Sequence, residues 1–229
     1  MRKVETMKNF VIIVAGGSGS RMGTEIPKQF LGLCGKPVLM HTIQVFHDFD
    51  PESKIILVLP EVQQQFWKGL CLKHSFSLAH QAVSGGKTRF HSVQNGLSQI
   101  DGEGIVFIHD GVRPLVSRET LSRCLETALK SGNAIPVLSV TESLRKLEDE
   151  QNISVDRSQY FSVQTPQTFR SDQILEAFQQ EFDSAFTDDA SVAEKAGFSI
   201  FMVEGNRENI KITTHIDLIV AEVFLNNQD

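Results

Sequence analysis

A glycine-rich turn followed by two cations is where residue types and spacing in this chain first amount to chemistry. Ala15-Gly16-Gly17-Ser18-Gly19-Ser20-Arg21-Met22-Gly23 leads into Pro27-Lys28-Gln29-Phe30. Glycines lack Cβ, so an anion can approach their peptide N–H groups closely. Arg21 offers a planar fork of donors and Lys28 a compact cation, the two kinds of charge that polyphosphate binding uses. Pro27 fixes the backbone just ahead of Lys28. The turn is not a Walker A loop, because no lysine follows a glycine at the required spacing. Nor is it the dinucleotide fingerprint, since Met22 stands where the third glycine belongs. Taken alone, the glycines also suit a turn that binds nothing.

The elements that must position these residues are legible as alternating patterns. Phe10 to Ala15 is an unbroken apolar run and reads as a strand buried on both faces, as in the middle of a parallel sheet. Further strands are expected at Lys54–Leu59, Ser77–Val83, Gly104–Ile108 and Asn133–Val140, with helices from Pro37 to about Phe49, Glu61–His74, Arg89–Leu97 and Arg118–Ser131. Strand, crossover helix, strand is the pattern of an α/β, doubly wound, mostly parallel sheet. Ligands of such sheets bind beyond the carboxyl ends of the strands. The Gly16–Gly19 turn, the Gly85-Gly86 loop and the segment His109-Asp110-Gly111-Val112-Arg113-Pro114 should therefore face one crevice. Asp110, at the end of a buried strand, is the carboxylate best placed to hold a hard cation such as Mg²⁺. His109 reads as a hydrogen-bonded structural histidine, and Trp67 as packing rather than a platform for a base. Between Thr141 and Tyr160 charges crowd and the helical period disappears, which composition alone reads as a solvated hairpin or loop. Regular structure is expected to resume after Phe169, with helices near Ser171–Gln180, Asp189–Ala196 and Thr214–Leu225 and a last strand at Ser199–Val203.

The run Ala-Gly-Gly-x-Gly-x-Arg-Met-Gly with Pro-Lys-Gln-Phe resembles the signature of sugar and polyol phosphate nucleotidyltransferases. It looks most like the 2-C-methyl-D-erythritol 4-phosphate cytidylyltransferases, over nearly the whole chain. The resemblance implies a Rossmann-like nucleotidyltransferase fold and an Mg²⁺-dependent transfer of CMP from CTP to the polyol phosphate. Arg21 and Lys28 would hold the triphosphate, with Ala15, Gly16, Gly17, Gly19 and Ser20 under the phosphates and ribose. Gly85, Gly86, Arg89 and Ser92 match the second nucleotide loop, where Lys87 departs from an acidic residue common in the family. Asp110 would sit at the metal and Arg113 near the sugar phosphate. The acceptor site maps onto Arg157, Thr165, Thr187 and Lys211, carried by Ser-Val-Asp-Arg at 154–157, Gln-Thr-Pro-Gln at 164–167, Thr-Asp-Asp-Ala-Ser at 187–191 and Glu-Gly-Asn-Arg-Glu-Asn-Ile-Lys-Ile-Thr at 204–213. Ser143 stands where a threonine is common. In the family the 141–160 segment is an arm exchanged between two subunits, which implies an isologous homodimer in which Ser143 and Arg157 complete the neighbour's site. Ribitol 5-phosphate cytidylyltransferases have very similar loops. A nucleotide-binding regulator that kept the fold and lost the chemistry is the reading from another class.

Composition bounds the rest. The 229 residues suffice for one domain with a full core, and 1–229 reads as a single nucleotidyltransferase domain. A net charge of -6 argues against general affinity for nucleic acid or anionic membrane, so any binding of anions must be local. Cys34, Cys71 and Cys124 form no Cys-x-x-Cys pair, fit a reducing cytoplasm and read as small buried hydrophobes. No apolar run is long enough to span a bilayer.

Overall fold

Strand β1 (Lys8–Val14) runs through the middle of the sheet, and its alternation explains the architecture. Val11 and Ile13 pack into one core cluster and Phe10 and Ile12 into another, all fully buried, so both faces of the strand must be covered. The computed structural model describes residues 7–16, 26–149 and 151–227. Gly17, Gly19, Ser20 and Arg21 lie outside the described residues.

From β1 the chain continues through a two-stranded ribbon, β2 (Gly32–Leu33) and β3 (Lys36–Pro37), into α1 (Val38–Phe49), β4 (Lys54–Leu59), α2 (Glu61–Lys73), β5 (Gln81–Ser84), α3 (Arg89–Leu97), β6 (Gly104–Asp110), α4 (Arg118–Ser131) and β7 (Asn133–Ser139). A hairpin of β8 (Arg145–Glu148) and β9 (Gln151–Ser154) follows. Then come β10 (Phe161–Val163), β11 (Gln167–Arg170), α5 (Ser171–Ala177), α6 (Asp189–Lys195), β12 (Met202–Glu204) and α7 (His215–Asn226). The large sheet has the order β10-β7-β11-β6-β1-β4-β5, with β12 joined to β7. Pairings of β1 with β4 and β6, of β4 with β5 and of β12 with β7 are parallel, whereas β11 runs antiparallel between β6 and β7.

Local signals set the helix ends. The Ser117 hydroxyl accepts from the Thr120 N–H to start α4, and Gly132 ends it in the left-handed region at φ 96. Thr214 and Asp217 cap α7 reciprocally.

Four expectations need correction. Residues 161–163 and 167–170 are not irregular: they form β10 and β11, and the polar residues of β11 with Pro166 between the two strands hide the pattern. The third expected strand starts at Gln81 rather than Ser77, and the last occupies Met202–Glu204 rather than Ser199–Val203. Cys34 is exposed in the turn between β2 and β3, while Cys124 is buried as expected. Trp67 is fully buried and serves packing.

Candidate active site

At the carboxyl ends of β1 and β6 lies a cavity of about 330 Å³, lined by Ala15, Gly16, Lys28, Gly86, Arg89 and Asp110 among others. In a chain of net charge -6 this lining is cationic: among the described residues Lys28, Lys87, Arg89 and Lys211 face it against the single carboxylate of Asp110. Excess positive charge confined to one concave place is what a polyanionic ligand requires.

The glycine turn enters the cavity on a fixed backbone. The Ala15 N–H donates to the Val58 carbonyl at 2.9 Å, and its carbonyl accepts from Gln29 Nε2 at 2.7 Å. At Gly16 an added Cβ would meet nothing closer than Pro60 at 4.0 Å among the described residues. Gly86 is a different case. A Cβ there would lie 2.4 Å from the His91 Cβ, so only glycine lets this loop close onto α3. Ser92 locks the closure, accepting from the Gly86 N–H at 3.0 Å and donating to the Thr88 carbonyl at 2.9 Å.

Asp110 is buried and gathers cations from three separate segments. Lys211 Nζ lies 2.9 Å from Oδ2, Arg113 Nε 3.3 Å from the same oxygen, and Arg89 Nε 4.0 Å from Oδ1. Burial alone would raise the pKa of this carboxyl, but the fields of Lys211, Arg89 and Arg113 outweigh it and hold the group well below the usual carboxylate range. Arg89 is held in turn by Asp189, which takes two bonds from its fork at 2.7 and 2.6 Å. Burial opposes the charge on Arg89, yet the Asp189 carboxylate keeps its pKa above the ordinary value.

Beneath Asp110 the polar groups form a chain. The Asp110 N–H donates to Thr165 Oγ1 at 3.1 Å, the Thr165 hydroxyl donates to His109 Nδ1 at 3.1 Å, and His109 Nε2–H donates to the Arg113 carbonyl at 2.9 Å. The carbonyl fixes this tautomer, because it can only accept. Burial pushes the His109 pKa down to about 4, so the ring is neutral at pH 7 and acts as the structural histidine expected. Arg113 NH1 donates to the Asn209 carbonyl at 2.7 Å, and Asn209 Nδ2 donates to the Thr165 carbonyl at 2.8 Å, which ties the segment carrying Lys211 to the floor of the site.

The family model of IspD, 2-C-methyl-D-erythritol 4-phosphate cytidylyltransferase, matches residues 9–227. The chain belongs to this family. It is 54% identical over 214 residues to the 2-C-methyl-D-erythritol 4-phosphate cytidylyltransferase of Bacteroides fragilis, covering 93% of this chain and 98% of that one. The protein of the same name from Phocaeicola vulgatus is 54% identical over 219 residues, covering 96% and 100%. Among solved structures, 4-diphosphocytidyl-2C-methyl-D-erythritol synthase from Anaerococcus prevotii superposes with a TM-score of 0.82 at 27% identity, over 96% of this chain and 99% of that one.

In this member of the cytidylyltransferase family, Ala15, Gly16, Lys28, Gly86, Arg89, Ser92, Asp110 and Lys211 line one cavity. Gly85 adjoins it, its N–H bonded to the Leu59 carbonyl at 2.8 Å. Thr165 lies behind Asp110 rather than in the lining, with its hydroxyl engaged on both sides. Thr187 is exposed, and its N–H donates to Ser191 Oγ at 3.1 Å. Ser143 and Arg157 are exposed outside the cavity of their own chain, and the Arg157 fork donates to the Thr141 carbonyl. Two contributors went unread in the sequence. Asp189, within the Thr-Asp-Asp-Ala-Ser motif, holds Arg89, and Gln29, within Pro-Lys-Gln-Phe, fixes Ala15.

Proposed function

We propose that this chain transfers CMP from CTP to 2-C-methyl-D-erythritol 4-phosphate, giving 4-diphosphocytidyl-2-C-methyl-D-erythritol and pyrophosphate. The observation that carries the reading is the meeting of Lys28, Arg89 and Lys211 around Asp110 in one cavity of a chain of this family. An acceptor phosphate oxygen bonds to the α-phosphorus of CTP while the P–O bond to the β-phosphate breaks, its electron pair leaving with pyrophosphate. The attacking phosphate is already ionised at neutral pH, so no protein base is needed. What the barrier demands is fixed positive charge around the phosphorus and the leaving group. Lys28 is assigned to the triphosphate, with Arg21 joining it on the family likeness. Lys211 and Arg113, both tethered to Asp110, are assigned to the acceptor phosphate.

The donor set fits Mg²⁺. Asp110 Oδ2 is taken by Lys211 and Arg113, whereas Oδ1 has only Arg89 at 4.0 Å among the described residues. Mg²⁺ commonly takes one or two carboxylates and completes its shell with substrate phosphates and water. Bound there, it would neutralise charge on the transferring phosphoryl group. No described cluster of three His, Cys, Asp or Glu competes for it. An exchanged arm, and with it a homodimer, belongs to the same reading, as does a cytoplasmic location.

Steady-state pyrophosphate release from CTP tests it, with methylerythritol 4-phosphate and ribitol 5-phosphate compared as acceptors. We expect preference for the former, loss of turnover on chelation and recovery with Mg²⁺. Preference for ribitol 5-phosphate overturns the acceptor, silence with both overturns the enzyme reading, and turnover surviving chelation overturns the metal. The family description and both relatives name methylerythritol phosphate, so the ribitol reading is not favoured.

A further inference from the structure

Two concavities share the short turn Lys28–Phe30 as a common wall. Lys28 and Gln29 face the catalytic cavity, while Phe30 and the nearby Ile26 line a groove of about 890 Å³ bounded by the β2–β3 ribbon and α2. Its floor is aromatic: Phe30 meets Phe66 edge to face at 5.2 Å and stacks with Trp67 at 6.1 Å. That volume is typical of small-molecule sites, which are mostly apolar with a few placed polar groups.

Glycines keep the groove open. Gly69 lies inside α2, where glycine is among the least favourable residues, yet an added Cβ there would meet nothing within 4 Å among the described residues. No close packing explains it. Gly32, on the facing ribbon, has the same freedom. Around the edge stand Lys36, Lys73 and His74, for which no carboxylate partner occurs among the described residues. An apolar floor under the cations of Lys36 and Lys73 complements a molecule that is apolar at one end and anionic at the other.

We propose that this groove is a second ligand site, taking an amphiphilic anion with an apolar body and a phosphate or carboxylate head, and that its occupancy is felt at Lys28 through the shared turn. Binding in the groove is independent of the proposed reaction. The coupling rests on that reading's placement of Lys28 at the triphosphate, and coupling must be reciprocal between the two ligands.

Calorimetry on the full chain tests both parts, using decyl phosphate and decanoate below their micelle concentrations against decanol and inorganic phosphate. At least one amphiphile should bind about tenfold or more tighter than decanol and inorganic phosphate. Gly69→Leu, which fills the groove with a better helix former, and Gly32→Val as a second filling variant should each weaken that binding about tenfold without changing CTP affinity. Lys36→Ala with Lys73→Ala should erase the preference over decanol. Saturating amphiphile should shift CTP affinity in the parent chain and not in Gly69→Leu. Equal binding of decanol, or no effect of either filling variant, overturns the site. An unchanged CTP affinity at saturation overturns the coupling, while pyrophosphate release in the absence of amphiphile reports separately on the reaction.

Discussion

Burial makes His109 costly to protonate, and that cost can be measured. The unfolded imidazole titrates at 6.5 and the folded one near 4, so within this window the unfolded chain binds a proton that the folded chain refuses. Stability therefore falls as pH drops from 6.5 towards 4, by about 3 kcal/mol at 1.36 kcal/mol per unit. Asp110 works at lower pH: its depressed pKa contributes stability that is lost only below the ordinary carboxylate range. Urea unfolding of the parent chain and of His109→Gln at pH 7 and pH 4.5 separates the two. The parent should lose more stability than the variant, and parallel losses would show that His109 is not the titrating group. At this scale the sequence revealed the charges but not their partners. Strand-end position brought out Asp110, and Arg113 follows it beside Pro114, whereas Lys211 stands between two isoleucines and was legible only through the family resemblance. Asp189 was invisible because its partner Arg89 is a hundred residues away, and no local pattern records such a pairing.

The Arg89–Asp189 pair also acts between elements, since it joins the first residue of α3 to the first residue of α6. Asp189 is completely buried and Arg89 keeps 32% of its side chain exposed. Removing one partner of a buried pair leaves the other uncompensated, and the half-open arginine puts this case at the low end, about 3 kcal/mol for Asp189→Asn. A loss of unfolding free energy in urea of less than a third of that would assign the pair to ligand binding alone. Elements with continuous apolar runs, β1, β4 and β6, were legible because strands buried on both faces admit few polar residues. β11 was not. Its Gln167 is buried, and only the folded chain supplies the partners that allow this: Asp188 accepts from its Nε2 at 2.7 Å and the Ala190 N–H donates to its Oε1 at 2.8 Å. An antiparallel strand inserted between β6 and β7 also breaks the parallel succession that the earlier elements obey.

For the whole molecule the decisive question is where the arm goes. β8 and β9 pair only with each other among the described strands, and every described residue in them is exposed, including Leu147 at 74% and Ile153 at 43%. A lone two-stranded hairpin is marginal in water, and apolar side chains along it ask for a cover. On the proposed reading a second copy, reached by exchange of arms, would supply that cover and bring Arg157 to a site it does not reach at home. Arg157→Ala and Lys28→Ala proteins should each lose about a hundredfold in turnover, the scale for one preorganised charge-stabilising donor. Mixed under conditions of subunit exchange, they should regain activity, because one site of each heterodimer combines an intact Lys28 with an intact Arg157 from the neighbour. Random exchange of equal amounts makes half of the dimers mixed, each with one good site, so the mixture should approach about a quarter of the parent's rate. If exchange is demonstrated by differently tagged chains and the mixture stays as inactive as its components, the arm serves its own subunit and both residues belong to a single chain's site.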